Sequence, residues 1–249
     1  MRNKGENDKL NVFDEMGVYW AEIADQNQTS RQIQFIEHTL KEDGLVLDIA
    51  CGTGRHLIPL SNEGYNIVGV DVSLRLLKIA KNRWRKASVV RADMRFLPFK
   101  PHAFAAAISM DTSFGYLTSE QEDFQSLKDL HLALSRNGVL IIDVFNRERL
   151  MQIYKISGKS SRLEYPTFFL LRKRTIIENG QKLHDSWVVC DKDDGQIRVF
   201  EHSARLYEFK QLQDLLEKAG FKLNSVYGDY EGQDFSSSSR RLIFVINKI

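Results

Sequence analysis

The 249-residue sequence predicts an α/β protein with a doubly wound, mostly parallel, seven-stranded sheet and a small antiparallel β insertion. Two observations support this fold class. Strand-length apolar segments alternate with amphipathic helical segments as far as residue 145, which is typical of a parallel sheet with right-handed crossovers. After residue 165 the pattern changes to consecutive segments rich in β-branched and aromatic residues, which indicates antiparallel strands.

The first elements are a helix and two strands. A helix is predicted over 29–40, where apolar residues recur at helical spacing. The first strand, 45–50, is apolar almost throughout, as a central parallel strand should be. A helix follows Gly54, the second strand covers 67–71, and Ser73 is placed to cap the next helix.

Three further elements complete the parallel part. Residues 88–91 form a short third strand and 104–110 a fourth. Ser119, followed three residues later by Glu122, is a capping box that begins a helix with one apolar face. Residues 139–145 then form the fifth strand.

The insertion comprises three predicted strands over 166–178, 182–191 and 196–209. Asn179-Gly180 is a strong hairpin signal between the first two, and Asp193-Asp194-Gly195 turns the second into the third.

A last helix and two strands, over 221–227 and 241–246, are expected to end the main sheet with an antiparallel hairpin. The serine run 236–239 indicates a flexible loop. We therefore expect one domain from 1–147 and 205–249. Residues 148–204 form an inserted lid, or a substrate or dimer subdomain.

Composition limits the function classes. The net charge is only +2, which gives no case for bulk binding to nucleic acid. Cys51 and Cys190 lie far apart, so neither a disulfide framework nor a zinc site is expected, and the histidines lack metal-ligand spacing. The polar start and the absence of a long apolar run predict a cytoplasmic protein with no membrane segment.

A ligand site is predicted where the first strand meets the following helix. Gly52 and Gly54 permit a tight turn against which a ligand can pack, and the N–H groups there favour a carboxylate. Asp71 ends the second strand, where a carboxylate can accept hydrogen bonds from both hydroxyls of a ribose. Asp93 can accept an adenine amino group, and Met94 supplies an N–H and an apolar wall.

Leu57 occupies the position at which a nicotinamide dinucleotide fingerprint has its third glycine. That glycine allows close packing of helix and strand around a pyrophosphate. Its absence favours a nucleoside ligand without phosphates.

The segments 46–54, 69–73 and 91–94 resemble, in order and spacing, the three motifs of class I methyltransferases that depend on S-adenosylmethionine (SAM). The resemblance implies a Rossmann-like fold, SAM as cofactor and S-adenosylhomocysteine as product. It implies that Asp71 binds ribose, Asp93 binds adenine, and Gly52 and Gly54 shape the methionine pocket. The residues expected at the cofactor are Asp48, Ala50, Gly52, Gly54, Asp71, Val72, Asp93, Met94 and Met110.

The segments 112–117, 205–207 and 227–230 are similar to a subgroup that acts mostly on small molecules. This implies methyl transfer to a nitrogen or oxygen atom of a small acceptor. The candidate catalytic residues are Asp111, as a base or as partner of a cationic amine, and Tyr116 and Tyr19, which could face the sulfonium by cation–π attraction. The acceptor is expected to contact Tyr19, Trp20, Ser113, Tyr116, Asn146 and Arg205.

The same residues also allow simpler interpretations. Asp111 could belong to a turn or cap, Tyr19 and Trp20 could pack an N-terminal helix, and Arg205 could be a solvated strand residue. Cys51 is interpreted as structural.

Other functions also remain open. An RNA or protein methyltransferase would place the basic run 172–174 and the basic helix 78–86 on one face. A nicotinamide-dependent oxidoreductase and a non-catalytic SAM-binding protein are further alternatives. The chain could be a monomer or a homodimer.

Overall fold

The computed structural model describes residues 8–24, 28–40, 44–154 and 158–249. The helices are α1 (Asp8–Ala24), α2 (Thr29–Thr39), α3 (Leu57–Asn62), α4 (Leu74–Arg83), α5 (Glu120–Ala133), α6 (Arg147–Ile153) and α7 (Phe209–Lys218). The strands are β1 (Leu45–Ile49), β2 (Asn66–Asp71), β3 (Val89–Arg91), β4 (Phe104–Ser109), β5 (Leu134–Phe145), β6 (Lys159–Glu164), β7 (Phe168–Ile177), β8 (Lys182–Asp191), β9 (Ile197–Arg205), β10 (Phe221–Tyr227) and β11 (Arg241–Lys248). None of the helices in these ranges is long and apolar enough to cross a bilayer.

The main sheet has seven strands in the order β10-β11-β5-β4-β1-β2-β3. Strands β1 to β5 run parallel to one another, β11 runs antiparallel to β5, and β10 runs antiparallel to β11. The predicted fold class is therefore confirmed. The strand order reverses direction between β1 and β4, and ligands bind in the crevice at such a switch point.

Helices cover both faces of this sheet and fix the position of that crevice. On one face, Leu130 of α5 and Leu216 of α7 join a core cluster with strand residues such as Ile142. On the other face, Ile36 of α2 and Leu57 of α3 pack on a second cluster. Because both faces are buried, β1 and β4 are apolar almost throughout.

The insertion is an antiparallel sheet in the order β6-β7-β8-β9. The structure contains one further strand, β6, which the sequence does not predict. All six residues of β6 are exposed, so they show no alternation of apolar and polar residues. The inner face of the sheet carries Phe168, Leu170 and Trp187, and these pack against Met16 of α1 in a third apolar cluster.

Helix α1 connects the inserted sheet to the main domain. It bends at Gly17, whose φ is 34°. The Oδ1 atom of Asp14 accepts hydrogen bonds from the Ser73 hydroxyl at 2.8 Å and from the Arg75 main-chain N–H at 2.9 Å. Ser73 in turn caps α4 through the N–H of Leu76. Helix α1 is thus anchored at the N-terminus of α4, beside the crevice.

Candidate active site

The turn after β1 is built from residues with positive φ. Ala50, Gly52 and Gly54 have φ values of 55°, 53° and 77°. The Gly52 N–H donates to Asp71 Oδ2 at 2.9 Å, and the Cys51 N–H donates to the Val70 carbonyl at 2.9 Å. The turn is therefore held against the end of β2.

Leu57 packs behind this turn. A Cβ atom at Gly69 of β2 would lie 2.5 Å from Cys51 Sγ and 2.7 Å from Leu57 Cδ1. The close contact of helix and strand thus depends on a glycine in β2 and not on a third glycine in the turn. Burial raises the pKa of the Cys51 thiol well above its usual range, which fits the structural role predicted for it.

Three residues predicted at the cofactor lie behind the cavity wall. Asp48 is buried, and burial raises its pKa to about 8, so it is mostly protonated at pH 7. Its carboxyl accepts a hydrogen bond from the Leu57 N–H, which supports the turn. Gly54 shapes the same turn, and Met110 belongs to the apolar cluster beneath it. We assign these three residues to the support of the site.

The cofactor cavity opens above the turn and has a volume of about 730 Å³, its open mouth included. Asp71 is its central polar residue, and Oδ1 of Asp71 also accepts the Ser73 N–H at 2.8 Å. Burial raises the pKa of Asp71 to about 6, although the main-chain hydrogen bonds from Ser73 and Gly52 oppose this shift. The lining residues are Phe13, Trp20, Ala50, Gly52, Val70, Asp71, Val72, Leu76, Ala92, Asp93, Met94, Asp111, Thr112, Ser113, Tyr116 and Leu117.

Asp93 also lines the cavity. Its Oδ1 accepts the Arg95 main-chain N–H at 2.9 Å, and its Oδ2 accepts Arg95 Nη2 at 2.6 Å. The pKa of Asp93 lies below its usual value. Burial alone would raise this pKa, but the hydrogen bonds from Arg95 have the larger, opposite effect. An adenine amino group would have to share this carboxylate with Arg95.

The residues fit SAM. The Gly52 turn presents bare main chain, the Asp71 carboxylate is suited to ribose hydroxyls, and Val72, Leu76 and Met94 would offer apolar surface to an adenine ring. The aromatic side chains of Phe13, Trp20 and Tyr116, which also line the cavity, suit a positively charged sulfur.

A second cavity, which we call the acceptor chamber, adjoins the first. Both cavities are lined by Trp20, Asp111 and Tyr116, so these three residues form the boundary between them. The chamber has a volume of about 810 Å³, its open side included. Its other lining residues are Ile23, Ala24, Gln28, Arg55, Phe145, Arg172, Arg174, Leu183, Asp185, His202 and Ala204.

The far wall of the chamber is a cluster of charges on the inserted sheet. Asp185 of β8 forms ion pairs with Arg172 and with Arg174 Nε, the latter at 2.9 Å, and accepts the Trp187 indole N–H at 2.8 Å. Burial alone would raise the pKa of Asp185, but hydrogen bonds and charge from Arg172 lower it, so the carboxylate is ionised at neutral pH.

Charges also line the boundary with the cofactor cavity. Arg55 Nη2 lies 3.1 Å from Asp111 Oδ2, while Arg55 Nη1 donates to Gln32 Oε1 at 2.5 Å. Burial raises the pKa of Tyr116, so its phenol is protonated at neutral pH and is a poor base there.

His202 stands between the aromatic and charged walls. Burial lowers its pKa to about 4, so the imidazole is neutral at pH 7. Its Nδ1 atom is buried and has no hydrogen-bond partner among the described residues, and Nε2 lies 3.9 Å from Asp185 Oδ2. A buried nitrogen without a partner is costly. His202 contributes a neutral ring to the wall of the chamber.

The structure places three predicted acceptor residues elsewhere. Tyr19 is buried in the cluster between α1 and the inserted sheet, donates to the Asp191 carboxylate, and has a pKa raised to about 12 by burial and by that bond. Asn146 caps α6 and donates to carbonyls of the serine run, including that of Ser239 at 2.8 Å. The serine run is thus a hydrogen-bonded loop.

Arg205 is the third of these residues. Its Nε donates to the buried Asp123 of α5 at 2.9 Å, so it ties β9 to the main domain and does not line either cavity. Trp20, Ser113 and Tyr116, in contrast, lie on cavity walls.

Sequence reasoning missed Phe13, Arg55 and the charged wall of the chamber. A signal for the wall was present, since alternation along a strand places Arg172 and Arg174 on one face and Lys173 on the other. Among the described residues, no cluster of His, Cys, Asp or Glu is suited to hold a metal ion.

Comparisons with known proteins agree with this geometry. Residues 46–138 match a methyltransferase domain family. The chain is 33% identical over 229 residues to a glycine/sarcosine N-methyltransferase of Aphanothece halophytica, covering 85% of this chain and 80% of that protein. It is 25% identical to the putative methyltransferase YqeM of Bacillus subtilis, covering 86% and 88% of the two chains.

A solved structure shares the fold. The CcbJ methyltransferase from Streptomyces caelestis superposes with a TM-score of 0.83 at 18% identity, covering 96% of this chain and 98% of that one. The cavity beside the glycine turn, its carboxylate at the end of β2 and these relationships lead to one conclusion. The chain belongs to the SAM-dependent methyltransferases and uses SAM as its cofactor.

Proposed function

We propose that this methyltransferase methylates a nitrogen atom of a small molecule held in the acceptor chamber. The observation that carries the proposal is the shared wall of the two cavities at Asp111, Tyr116 and Trp20. A group in the chamber can meet a group in the cofactor cavity only across this boundary. Proximity and alignment of that kind supply much of the rate enhancement of a displacement reaction.

The chemistry of the boundary supports an amine acceptor. SAM supplies a methyl group already activated by a positive sulfur, so the protein needs no nucleophile of its own. The Asp111 side chain is 48% exposed and can hold an amine in its ammonium form in place of Arg55. The ammonium loses a proton to solvent at the open side of the chamber, and the freed lone pair then attacks the methyl carbon as the C–S bond breaks and S-adenosylhomocysteine leaves. Tyr116 and Trp20 contribute aromatic faces, which attract a cation.

The enclosure of the chamber supports a small acceptor. Helix α1 and the inner face of the inserted sheet close it opposite the main sheet. Arg172 and Arg174 point into the chamber and are paired with Asp185, whereas Lys173 is exposed on the other face. This arrangement does not support RNA as acceptor, because the three cations do not form one surface.

Relatives support the same reaction class. The matched protein of Aphanothece halophytica is a glycine/sarcosine N-methyltransferase, and a relative of Streptomyces venezuelae with 24% identity is an N,N-dimethyltransferase of a dTDP-linked amino sugar. Both names describe methylation of an amine on a small molecule.

The test is to incubate the pure protein with methyl-labelled SAM and separate pools of amino acids, amino sugars, polyamines, total RNA and total protein. We expect label in a small-molecule pool, with mass spectrometry placing the new methyl group on nitrogen. Asp71→Ala should strongly reduce labelling at a SAM concentration near the Kd of the wild-type protein. Label on oxygen, label confined to RNA or protein, or SAM binding without turnover in any pool would contradict the proposal.

A further inference from the structure

The outer face of the inserted sheet carries an exposed apolar patch. Strand alternation turns Phe169 and Leu171 of β7 and Ile197 and Val199 of β9 away from the protein, and these side chains are 46%, 46%, 69% and 61% exposed. Apolar patches of this kind on a protein surface mark interaction sites.

The register of the strands shows that the patch is ordered in rows. Cys190 of β8 lies between Phe169 and Ile197, and Val188 lies between Leu171 and Val199. The patch is therefore two rows deep and three strands wide, with Cys190 and Val188 along its middle.

The next row is charged, with opposite signs at its two ends. Ser186 of β8 lies between Lys173 of β7 and Glu201 of β9. Lys173 is exposed and forms no ion pair with any residue that the structure describes, and the Glu201 side chain is 60% exposed. The patch thus has a positive side and a negative side at the same level along the strands.

This distribution of charge is self-complementary. We propose that the outer face of the inserted sheet binds the same face of a second copy of this chain. The twofold axis lies between the two sheets and is parallel to β8. That operation places β7 of each copy over β9 of the other. Lys173 of each copy then faces Glu201 of the other. The apolar patches of the two copies contact each other, and β8 of one copy faces β8 of the other.

The dimensions suit such a dimer. Sheets pack face to face about 10 Å apart with nearly aligned strands, as this axis requires. The three strands that face each other, β7, β8 and β9, lie about 4.8 Å apart and are about nine or ten residues long, so they cover roughly 450 Å². Standard interfaces bury about 800 Å² of accessible surface per partner, so the proposed dimer falls in the smaller and weaker class of interfaces.

The first test uses charge reversal in the full-length protein, with sedimentation equilibrium as the readout. Lys173→Glu alone, or Glu201→Lys alone, places like charges opposite each other twice and should weaken the dimer at least tenfold. The double variant Lys173→Glu/Glu201→Lys should restore it. A monomeric wild-type protein at 100 µM, or no difference among the variants, would overturn the proposal.

The second test uses the cysteine near the axis. A short bismaleimide should link Cys190 to Cys190 of the second copy. The other cysteine, Cys51, is buried and should not react with the reagent. Cys190→Ser should abolish the cross-linked species, and Val199→Lys should prevent it. Phe96→Lys is the matched control, because Phe96 is 68% exposed and lies outside the inserted sheet. A dimer without the Cys190 cross-link would place the interface elsewhere.

Discussion

The carboxylate of Asp143 on β5 accepts the main-chain N–H of Asp111 at 2.8 Å. The Asp143 carbonyl accepts the next N–H, that of Thr112, also at 2.8 Å. Asp111 and Thr112 have φ values of 55° and 66°, which residues with side chains adopt at a cost. Asp143 thus holds the strained turn that aims Asp111 at the boundary between the two cavities.

The first prediction concerns the stability of this arrangement. Asp143 is buried and ion-paired with Arg241 Nε at 2.6 Å, so Asp143→Ala leaves a buried guanidinium without its partner. We expect the free energy of unfolding, measured with urea, to fall by about 3–5 kcal/mol. The double variant Asp143→Ala/Arg241→Met should lose less than the sum of the two single variants, and full additivity would argue against the coupling.

The second prediction concerns cofactor affinity. Asp71→Ala removes the carboxylate that we assign to the ribose hydroxyls and should weaken SAM binding more than tenfold in calorimetry, equivalent to at least about 1.4 kcal/mol. Asp71 also holds the Gly52 turn, so Asp71→Asn, which preserves size, serves as the second variant. Unchanged affinity in both variants would refute the ribose role.

The third prediction is a pH dependence of the same binding step. The pKa of Asp71 is raised to about 6, so the carboxylate is ionised above pH 7 and becomes protonated as the pH falls through 6. A protonated carboxyl accepts fewer hydrogen bonds, so SAM affinity should be constant above pH 7 and decline below 6. Asp71→Asn should remove this decline, and an identical pH profile in the variant would assign it to another group.

The fourth prediction separates acceptor from cofactor binding at Asp111. Asp111→Asn removes the charge facing the amine, and a hydrogen bond to a charged group is worth about 1.5–3 kcal/mol. We expect kcat/KM for the acceptor to fall roughly tenfold to a hundredfold, with less than about a twofold change in the Kd for SAM. A fall in SAM affinity as large as the fall in kcat/KM would place Asp111 at the cofactor instead.

The fifth prediction concerns His202, a neutral residue on the wall of the acceptor chamber. His202→Gln retains a hydrogen-bonding side chain, whereas His202→Phe fills the space without one. The phenylalanine variant should raise KM for the acceptor about tenfold, and the glutamine variant should recover part of the loss. Equal kinetics in both variants would show that only the volume of the side chain matters.

The cofactor half of the molecule was largely predictable because its determinants are local. The apolar strands β1, β2 and β4, the glycine turn and Asp71 at the end of β2 all follow from short-range sequence patterns. The parallel order of the strands follows from the alternation of strands and helices.

The acceptor half was less predictable because its contacts join distant parts of the chain. Tyr19 pairs with Asp191, Asn146 with the loop at Ser239, and Arg205 with Asp123. Each of these side chains could bind a substrate by its chemistry. Only the tertiary structure shows that each one is already hydrogen-bonded to another residue of the protein. The edge strand β6 was missed for a different reason, since it buries nothing and so carries no apolar period.

Helix α1 supplies Phe13 to the wall of the cofactor cavity and Trp20 to both cavities. If helix α1 moved as a rigid body, the walls of both cavities would therefore change together. Its bend at Gly17 falls between the two aromatic residues, and the Asp14 contacts with Ser73 and Arg75 hold only the segment before the bend. The segment after the bend is held instead by the inserted sheet, where Tyr19 donates to Asp191 and Trp20 stacks on Trp187. The bend therefore lets one helix be fixed to the main domain at one end and to the insertion at the other.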